Sequence, residues 1–392
     1  MSADQNLDNL TELTPNLESL GWDDDLSRWA ETVIEELEAE SSNDNAGVEL
    51  SWSRGRLARV TRGYSLVFVG GDAVLASSMG ARANATVGPA IGDFVIVEHH
   101  PTDGPSVVAV AERRSALGRR APGRIPNVQV LAANIETVFI MHGLDRDMNL
   151  RRIERQLVVS WESGAKPVVL LTKADTFDSA EVASTTEAVS TISPGVDVLA
   201  ISTVSGAGLD QVRSYLKPRT TVGLLGLSGV GKSSLVNELS DGMVQRTGEV
   251  RTTDRRGRHT TVTRDLIPLP NGGLIIDAPG VREIGLWQAY DGMALTFPEI
   301  HEAAANCGFN DCGHGDEPDC AVVDAMTAGR IQARRVDHYL ELQAELELQE
   351  TQLEEAARRA ESWDRADAEN RRDKARSSRR STDRSQRRRR RR

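Results

Sequence analysis

The sequence predicts a multidomain chain: an N-terminal OB-type β-barrel, a central α/β domain with a doubly wound, mostly parallel sheet, and a C-terminal metal-binding helical module. Three observations carry this. Short strand-like runs punctuated by glycine and proline fill residues 47–112. From residue 128, buried-type strands alternate with helical patterns, and one strand runs into Gly226-Leu227-Ser228-Gly229-Val230-Gly231-Lys232-Ser233, a phosphate-loop pattern. All three cysteines lie between residues 307 and 320, with a histidine among them.

Bulk composition excludes several classes. The 392 residues are enough for two or three domains. No run approaches the roughly 18 to 20 apolar residues of a membrane span, and Met1-Ser2-Ala3-Asp4-Gln5 does not open a secretory signal, so a cytoplasmic protein without membrane contact is expected. The net charge of −11 hides a polar layout. Residues 1–46 carry thirteen acidic residues and one arginine, whereas residues 371–392 carry thirteen basic residues and two aspartates. The average charge therefore says little about partners, and the two ends are read separately.

Taken in order, residues 1–46 read as an acidic, disordered, solubilising arm, although Asp24 to Glu40 could form a helix with Leu26, Trp29, Val33, Ile34 and Leu37 on one side. The barrel covers 47–112; its Arg54, Arg56, Arg59, Arg62, Arg82 and Tyr64 suit a surface that pairs with phosphates and stacks on bases, or else are solvated. Residues 113–127, with five arginines and two prolines, read as an exposed basic linker. The α/β domain spans 128–298. It holds strands at Thr137–Met141, Pro167–Leu171 and Asp197–Ile201, with helices at Leu150–Ser163, 179–190 and Leu209–Leu216. A metal-binding and helical module follows at 299–366, with Ile331, Tyr339, Leu342, Leu346 and Leu353 as an apolar stripe for the metal region or a partner. Residues 367–392 form an arginine-rich disordered tail suited to RNA phosphates.

The chemistry begins at the phosphate loop. Thr221–Leu225 is a strand and Ser234–Leu239 opens a helix, so backbone N–H groups from Gly226 to Ser234 converge on phosphate oxygens at a helix N-terminus. Lys232 reaches the β- and γ-phosphates, and Ser233 ligates Mg²⁺. Thr172-Lys173-Ala174-Asp175 ends a buried strand, where open α/β sheets bind ligands. The Asp175 carboxylate can accept from guanine N1–H and its exocyclic amine, a donor pair adenine lacks, and Lys173 can lie over the base. Ile201-Ser202-Thr203-Val204-Ser205 resembles a second guanine-reading loop.

These motifs resemble those of GTPases, with the base-reading pair placed before the phosphate loop. The order is circularly permuted. Barrel, permuted GTPase and cysteine cluster, in that order over roughly residues 50–340, resemble the ribosome-assembly GTPases of the RsgA (YjeQ) family. Two positions depart from that family: Thr172 stands where asparagine is usual, and Ser202-Thr203 replaces Ser-Ala. A hydroxyl in place of the amide is expected to weaken the hydrogen bonds that bridge the loops.

Arg251 to Arg264 is polar and contains Gly257-Arg258-His259-Thr260-Thr261; the resemblance implies a switch threonine here, Thr260 or Thr261, that contacts the γ-phosphate and Mg²⁺. Asp277-Ala278-Pro279-Gly280 follows a strand, with Asp277 toward Mg²⁺ and the Gly280 N–H toward the γ-phosphate. Val281 occupies the position of the water-orienting glutamine of many GTPases, so slow intrinsic hydrolysis is expected, with His259 the candidate replacement within the chain and a group supplied by a partner the alternative. Lys232, Thr261 and His259 thus make up the expected catalytic set. Cys307, Cys312, His314 and Cys320 supply three thiolates and an imidazole, a donor set for one structural Zn²⁺. His301 lies outside that spacing and reads as an ordinary helix residue.

The resemblance implies a monomeric GTP hydrolase that binds the small (30S) ribosomal subunit and its 16S rRNA and hydrolyses GTP to GDP late in subunit maturation. Two alternatives remain at this stage: an RNA-binding scaffold with weak or no turnover, and a GTPase acting on another RNA–protein substrate.

Overall fold

A computed structural model of the chain describes residues 15–44, 50–61, 63–78, 88–120, 128–240, 265–277, 286, 289–315, 317–359 and 362. The segment 251–264 with His259, Thr260 and Thr261, the stretch from Ala278 to Val281, Arg62, Arg82 and the arginine-rich tail lie outside them.

Strands β1 (Ser51–Val60), β2 (Tyr64–Phe68), β3 (Ala73–Ser77), β4 (Phe94–His100) and β5 (Gly104–Val110) close into a barrel in the order β1-β2-β3-β5-β4. Neighbours are antiparallel except β3 and β5, which meet in parallel at Ser77 and Ser106. Small and β-branched side chains fill the interior, among them Val67, Ala76, Val95 and Val107 with Leu57.

Residues 15–44 are not a free arm. Helix α1 (Asp24–Asp44) lies on the barrel and buries Leu26, Ala30 and Leu37 with Trp22 against Phe94, Ile96 and Val108. The Trp22 and Phe94 rings meet edge to face at 5.4 Å. Spacings of three and four residues put that stripe on one side, and its burial offsets the ordering entropy that an acidic composition leaves uncompensated. The expected basic linker is also partly structural. Strands β6 (Ala116–Arg120) and β7 (Val128–Ala133) form an antiparallel hairpin, Leu117 is buried, and Ser115 Oγ donates to the Ile135 carbonyl at 2.7 Å.

The central sheet has six strands: β8 (Thr137–Gly143), β9 (Lys166–Thr172), β10 (Asp197–Ala200), β11 (Thr221–Gly226), β12 (Asp265–Pro268) and β13 (Leu274–Asp277). Their order is β10-β9-β8-β11-β13-β12, parallel throughout except for the antiparallel edge strand β12. Helices cover both faces. On one, α2 (Leu150–Glu162) and α3 (Ser179–Ile192) pack through Ile153, Leu157 and Val189 on Val138, Ile140 and Val169. On the other, α4 (Leu209–Arg213) and α5 (Lys232–Leu239) pack through Val212, Leu235 and Leu239 on Phe139, Val168 and Leu224. Alternate residues of β8 thus feed two separate cores, as the period of a strand requires. Asn149 caps α2 by accepting from the Arg152 N–H, and Asp178 caps α3 through the Ala180 and Glu181 N–H groups.

Helices α6 (Tyr290–Thr296), α7 (Pro298–Ala304), α8 (Ala321–Thr327) and α9 (residues 333–359) follow the sheet. They join the α2 core: Met293, Phe297, Ile300, Leu342 and Leu346 share one apolar cluster with Ile153 and Leu157. A Cβ at Gly292 would stand 2.2 Å from the Val158 carbonyl, so glycine is what allows α6 to approach α2. Tyr339, Leu342 and Leu346 of the apolar stripe are therefore spent within the chain, whereas Leu353 is half-buried and outside that cluster. Among the described residues no helix is long and apolar enough to cross a membrane.

Candidate nucleotide site and metal centre

The phosphate loop leaves β11 at the carboxyl end of the sheet and enters α5, whose N-cap is Gly231 in a left-handed conformation (φ 97°). A Cβ at Gly226 would come within 2.7 Å of the Met141 carbonyl, so the loop needs glycine where it leaves the sheet. Lys232 Nζ curls back to the Gly226 and Leu227 carbonyls at 2.8 and 2.9 Å, which anchors the ammonium over the loop. Ser233 and Ser234 are exposed on the first turn of α5, and Leu227, Ser228 and Val230 complete the loop.

Thr172-Lys173-Ala174-Asp175 follows β9. Lys173 adopts φ 65°, and a short 3₁₀ turn at Ala174–Thr176 turns Asp175 outward. The Ala174 N–H donates to the Ile201 carbonyl at 3.1 Å, tying this loop to the one after β10. In that second loop the buried Ser202 Oγ accepts from the Val204 and Ser205 N–H groups at 3.1 and 3.0 Å. The three segments meet around a cleft of about 260 Å³ lined by Thr172, Lys173, Asp175, Thr203, Gly231 and Ser234 together with Met141, Thr176, Ile201 and Val204. One cleft thus carries both the Asp175 carboxylate and Gly231 and Ser234 of the phosphate-loop turn, at the carboxyl edge of a parallel sheet where ligands bind.

Thr172 does more than its replacement of an amide implied. Its hydroxyl donates to the Val230 carbonyl at 2.7 Å, so the bridge from base loop to phosphate loop is made. The sequence reading also missed Asp145, on the loop after β8. Its carboxylate accepts from Lys173 Nζ at 2.6 Å, and that hydrogen bond holds the Asp145 carboxyl below the usual range. Nothing local in Gly143-Leu144-Asp145-Arg146 signals this; only adjacency of β8 and β9 brings the groups together. Asp277 ends β13 opposite Leu224 of β11, at the same edge of the sheet as the phosphate loop, and pairs across β12 with Asp265.

The barrel arginines divide. Arg56 is buried and donates to the carbonyls of Gly92 (3.0 Å), Leu20 (2.7 Å) and Asn134 (2.8 Å), with its guanidinium over the Phe94 ring. Burial lowers its pKa to about 10. Arg59 forms a bidentate pair with Asp265 at 2.5 and 3.0 Å. Both are structural and neither is available to RNA, whereas Tyr64 is exposed and Arg54 lies near Glu31 at 3.3 Å.

Cys307, Cys312, His314 and Cys320 place one donor atom each within 4.8 Å of one another. His314 Nδ1 lies 3.6 Å from Cys307 Sγ and 3.7 Å from Cys320 Sγ, the edge lengths of a tetrahedron around a metal bound at about 2.0 to 2.3 Å. Left-handed His314 (φ 57°) and Asp319 (φ 56°) fold the loop back, and the Gly308 N–H donates to the Asp319 carbonyl at 3.0 Å. Burial lowers the His314 pKa and so favours the neutral imidazole that binds metal. His301 is exposed on α7 and stands apart from this set.

The family model for the RsgA GTPase matches residues 110–287. A small ribosomal subunit biogenesis GTPase RsgA from Methanosarcina acetivorans is 41% identical over 308 residues, covering 78% of this chain and 83% of that protein. The protein of the same name from Streptomyces avermitilis is 41% identical over 297 residues, covering 74% and 78%. Among solved structures, YjeQ from Thermotoga maritima aligns with a TM-score of 0.57 at 23% identity over 76% of this chain and 99% of that one. YloQ, a circularly permuted GTPase, aligns with a TM-score of 0.55 at 24% identity over 76% and 96%. At those identities the two structures speak for the fold alone.

Proposed function

Because the chain belongs to the RsgA GTPase family, we propose that it is a GTP hydrolase of small ribosomal subunit biogenesis, a switch that binds the subunit and is released on hydrolysis. The observation that carries the reading is the meeting of three separate segments on one cleft. Asp175 would select guanine, Lys173 and Thr203 would frame the base, and the loop from Gly226 to Ser234 would hold the phosphates. Lys232, already over the loop, would meet the β- and γ-phosphates.

Mg²⁺ would supply charge neutralisation between the β- and γ-phosphates, held by Ser233, Asp277 and the switch threonine, Thr260 or Thr261. The Gly280 N–H would touch the γ-phosphate. With Val281 unable to orient water, His259 is the residue of this chain assigned to that task. Zn²⁺ suits the three thiolates and the imidazole as a closed, structural site. The 30S subunit and its 16S rRNA are the proposed partners, met in the cytoplasm by a monomer. Exposed barrel residues such as Tyr64, the metal loop and the arginine-rich tail are the proposed contacts.

GTP turnover measured with and without purified 30S subunits tests this. Stimulation by the subunit is expected. Turnover that the subunit does not change would transfer the activity to another RNA–protein substrate, and no turnover in either condition would leave an RNA-binding scaffold. In the same assay, His259→Ala is expected to lower stimulated turnover far more than GTP binding.

A further inference from the structure

We infer that Arg146, on the loop after β8, is a phosphate-contacting residue that reaches the β-phosphate of GDP and GTP from outside the phosphate loop. The inference rests on the nucleotide site described above. Strands β8 and β11 are parallel neighbours, so their loops emerge side by side at the carboxyl edge of the sheet. Arg146 Nη2 stands 2.8 Å from where a Cβ at Gly229 would be, and Gly229, at φ 80°, is the middle of the phosphate loop. Glycine there leaves room for the guanidinium against the loop backbone.

Charge accounting at this edge singles Arg146 out. Lys232 is directed at the Gly226 and Leu227 carbonyls, and Lys173 is paired with Asp145. Arg146 is exposed and, among the described residues, has no hydrogen bond or ion pair; its attraction to Asp145 acts through space, on a carboxylate that Lys173 already holds. A planar guanidinium with free donors beside a loop of convergent N–H groups is suited to a phosphate oxygen pair.

Sheet order decides which phosphate. Base-reading β9 lies on one side of β8 and the phosphate loop of β11 on the other, with Asp277 of β13 beyond it. A cation delivered from β8 therefore approaches between base and γ-phosphate, from the side opposite Asp277. The β-phosphate, common to GDP and GTP, is the group it meets.

The test measures Kd of the full-length protein for labelled GDP and for a non-hydrolysable GTP analogue. Arg146→Ala is expected to raise both by the same factor, about tenfold, as for loss of one charge-assisted pair. Arg146→Lys should fall between, and Arg146→Glu should raise both further. Unchanged Kd for both ligands in Arg146→Ala would overturn the assignment, and so would a loss confined to the GTP analogue, which marks a γ-phosphate contact. Lys232→Ala serves as reference. If it too leaves GDP binding intact, the nucleotide site itself is misread; if it abolishes binding while Arg146→Ala does nothing, only Arg146 is.

Discussion

Thr172 has one hydroxyl proton, and the short contact to the Val230 carbonyl takes it in preference to the His142 carbonyl at 3.3 Å. That single bond ties the base-reading loop to the phosphate loop. Thr172→Val keeps the shape and leaves a buried carbonyl without its donor, a cost of about 1 kcal/mol. Binding of GTP and GDP, read by calorimetry, should weaken about fivefold, while Thr172→Asn should bind at least as well as the native chain. At this scale the sequence is legible by chemical type but not by environment. Arg54, Arg56 and Arg59 look alike in the chain, yet burial makes Arg56 a hub for three carbonyls and Arg59 the partner of Asp265. The places of Lys232 at the start of α5 and of Asp175 just past β9 were legible because glycine spacing and strand ends restrict local geometry.

Among elements, α9 is held to α2 by an ion-pair cluster that sequence did not announce. Arg335 is buried and donates to Glu154 of α2 at 2.9 Å, to the Ile192 carbonyl at the end of α3 at 2.8 Å and to the Thr296 carbonyl at 2.9 Å; it also meets Glu299 at 2.5 Å. His338 Nδ1 lies 2.6 Å from the other oxygen of Glu154. Removing one member leaves a buried charge uncompensated, so Arg335→Ala should destabilise the chain by about 3 to 5 kcal/mol in urea unfolding. Arg151→Ala, which breaks the half-exposed pair with Glu341, should cost less than about 1 kcal/mol. The apolar stripe of α9 was visible as a period, but the partner it buries against lies far away in sequence. The same holds for α1: its stripe was readable, and its acidic composition argued the other way until the barrel surface was there to receive it.

Across the whole molecule, the barrel and the sheet are joined through Arg59 and Asp265, and Asp265 pairs in register with Asp277. A barrel residue thus grips β12, the edge strand that pairs with β13 and its terminal Asp277. The cysteine–histidine cluster shares no residue with the cleft at the sheet edge and lies in a mostly exposed loop between α7 and α8. Metal removal by a chelator, or Cys312→Ser, should release one equivalent of zinc and expose the 307–320 loop to proteolysis while GDP affinity stays unchanged; a matched loss of GDP binding would show the two sites to be coupled. The sequence by itself determined the barrel, the α/β domain and the cysteine–histidine cluster, their order, and the strand–loop–helix of the phosphate-loop pattern, because each is a short-range pattern in which spacing and residue type dictate local geometry. Only the tertiary structure decided which arginines are buried, that α1 and α9 dock rather than float, that Asp145 meets Lys173 and that Arg146 stands against Gly229. Those facts depend on which strands and faces become neighbours, and neighbours across a sheet are set by packing over distances that no local pattern records.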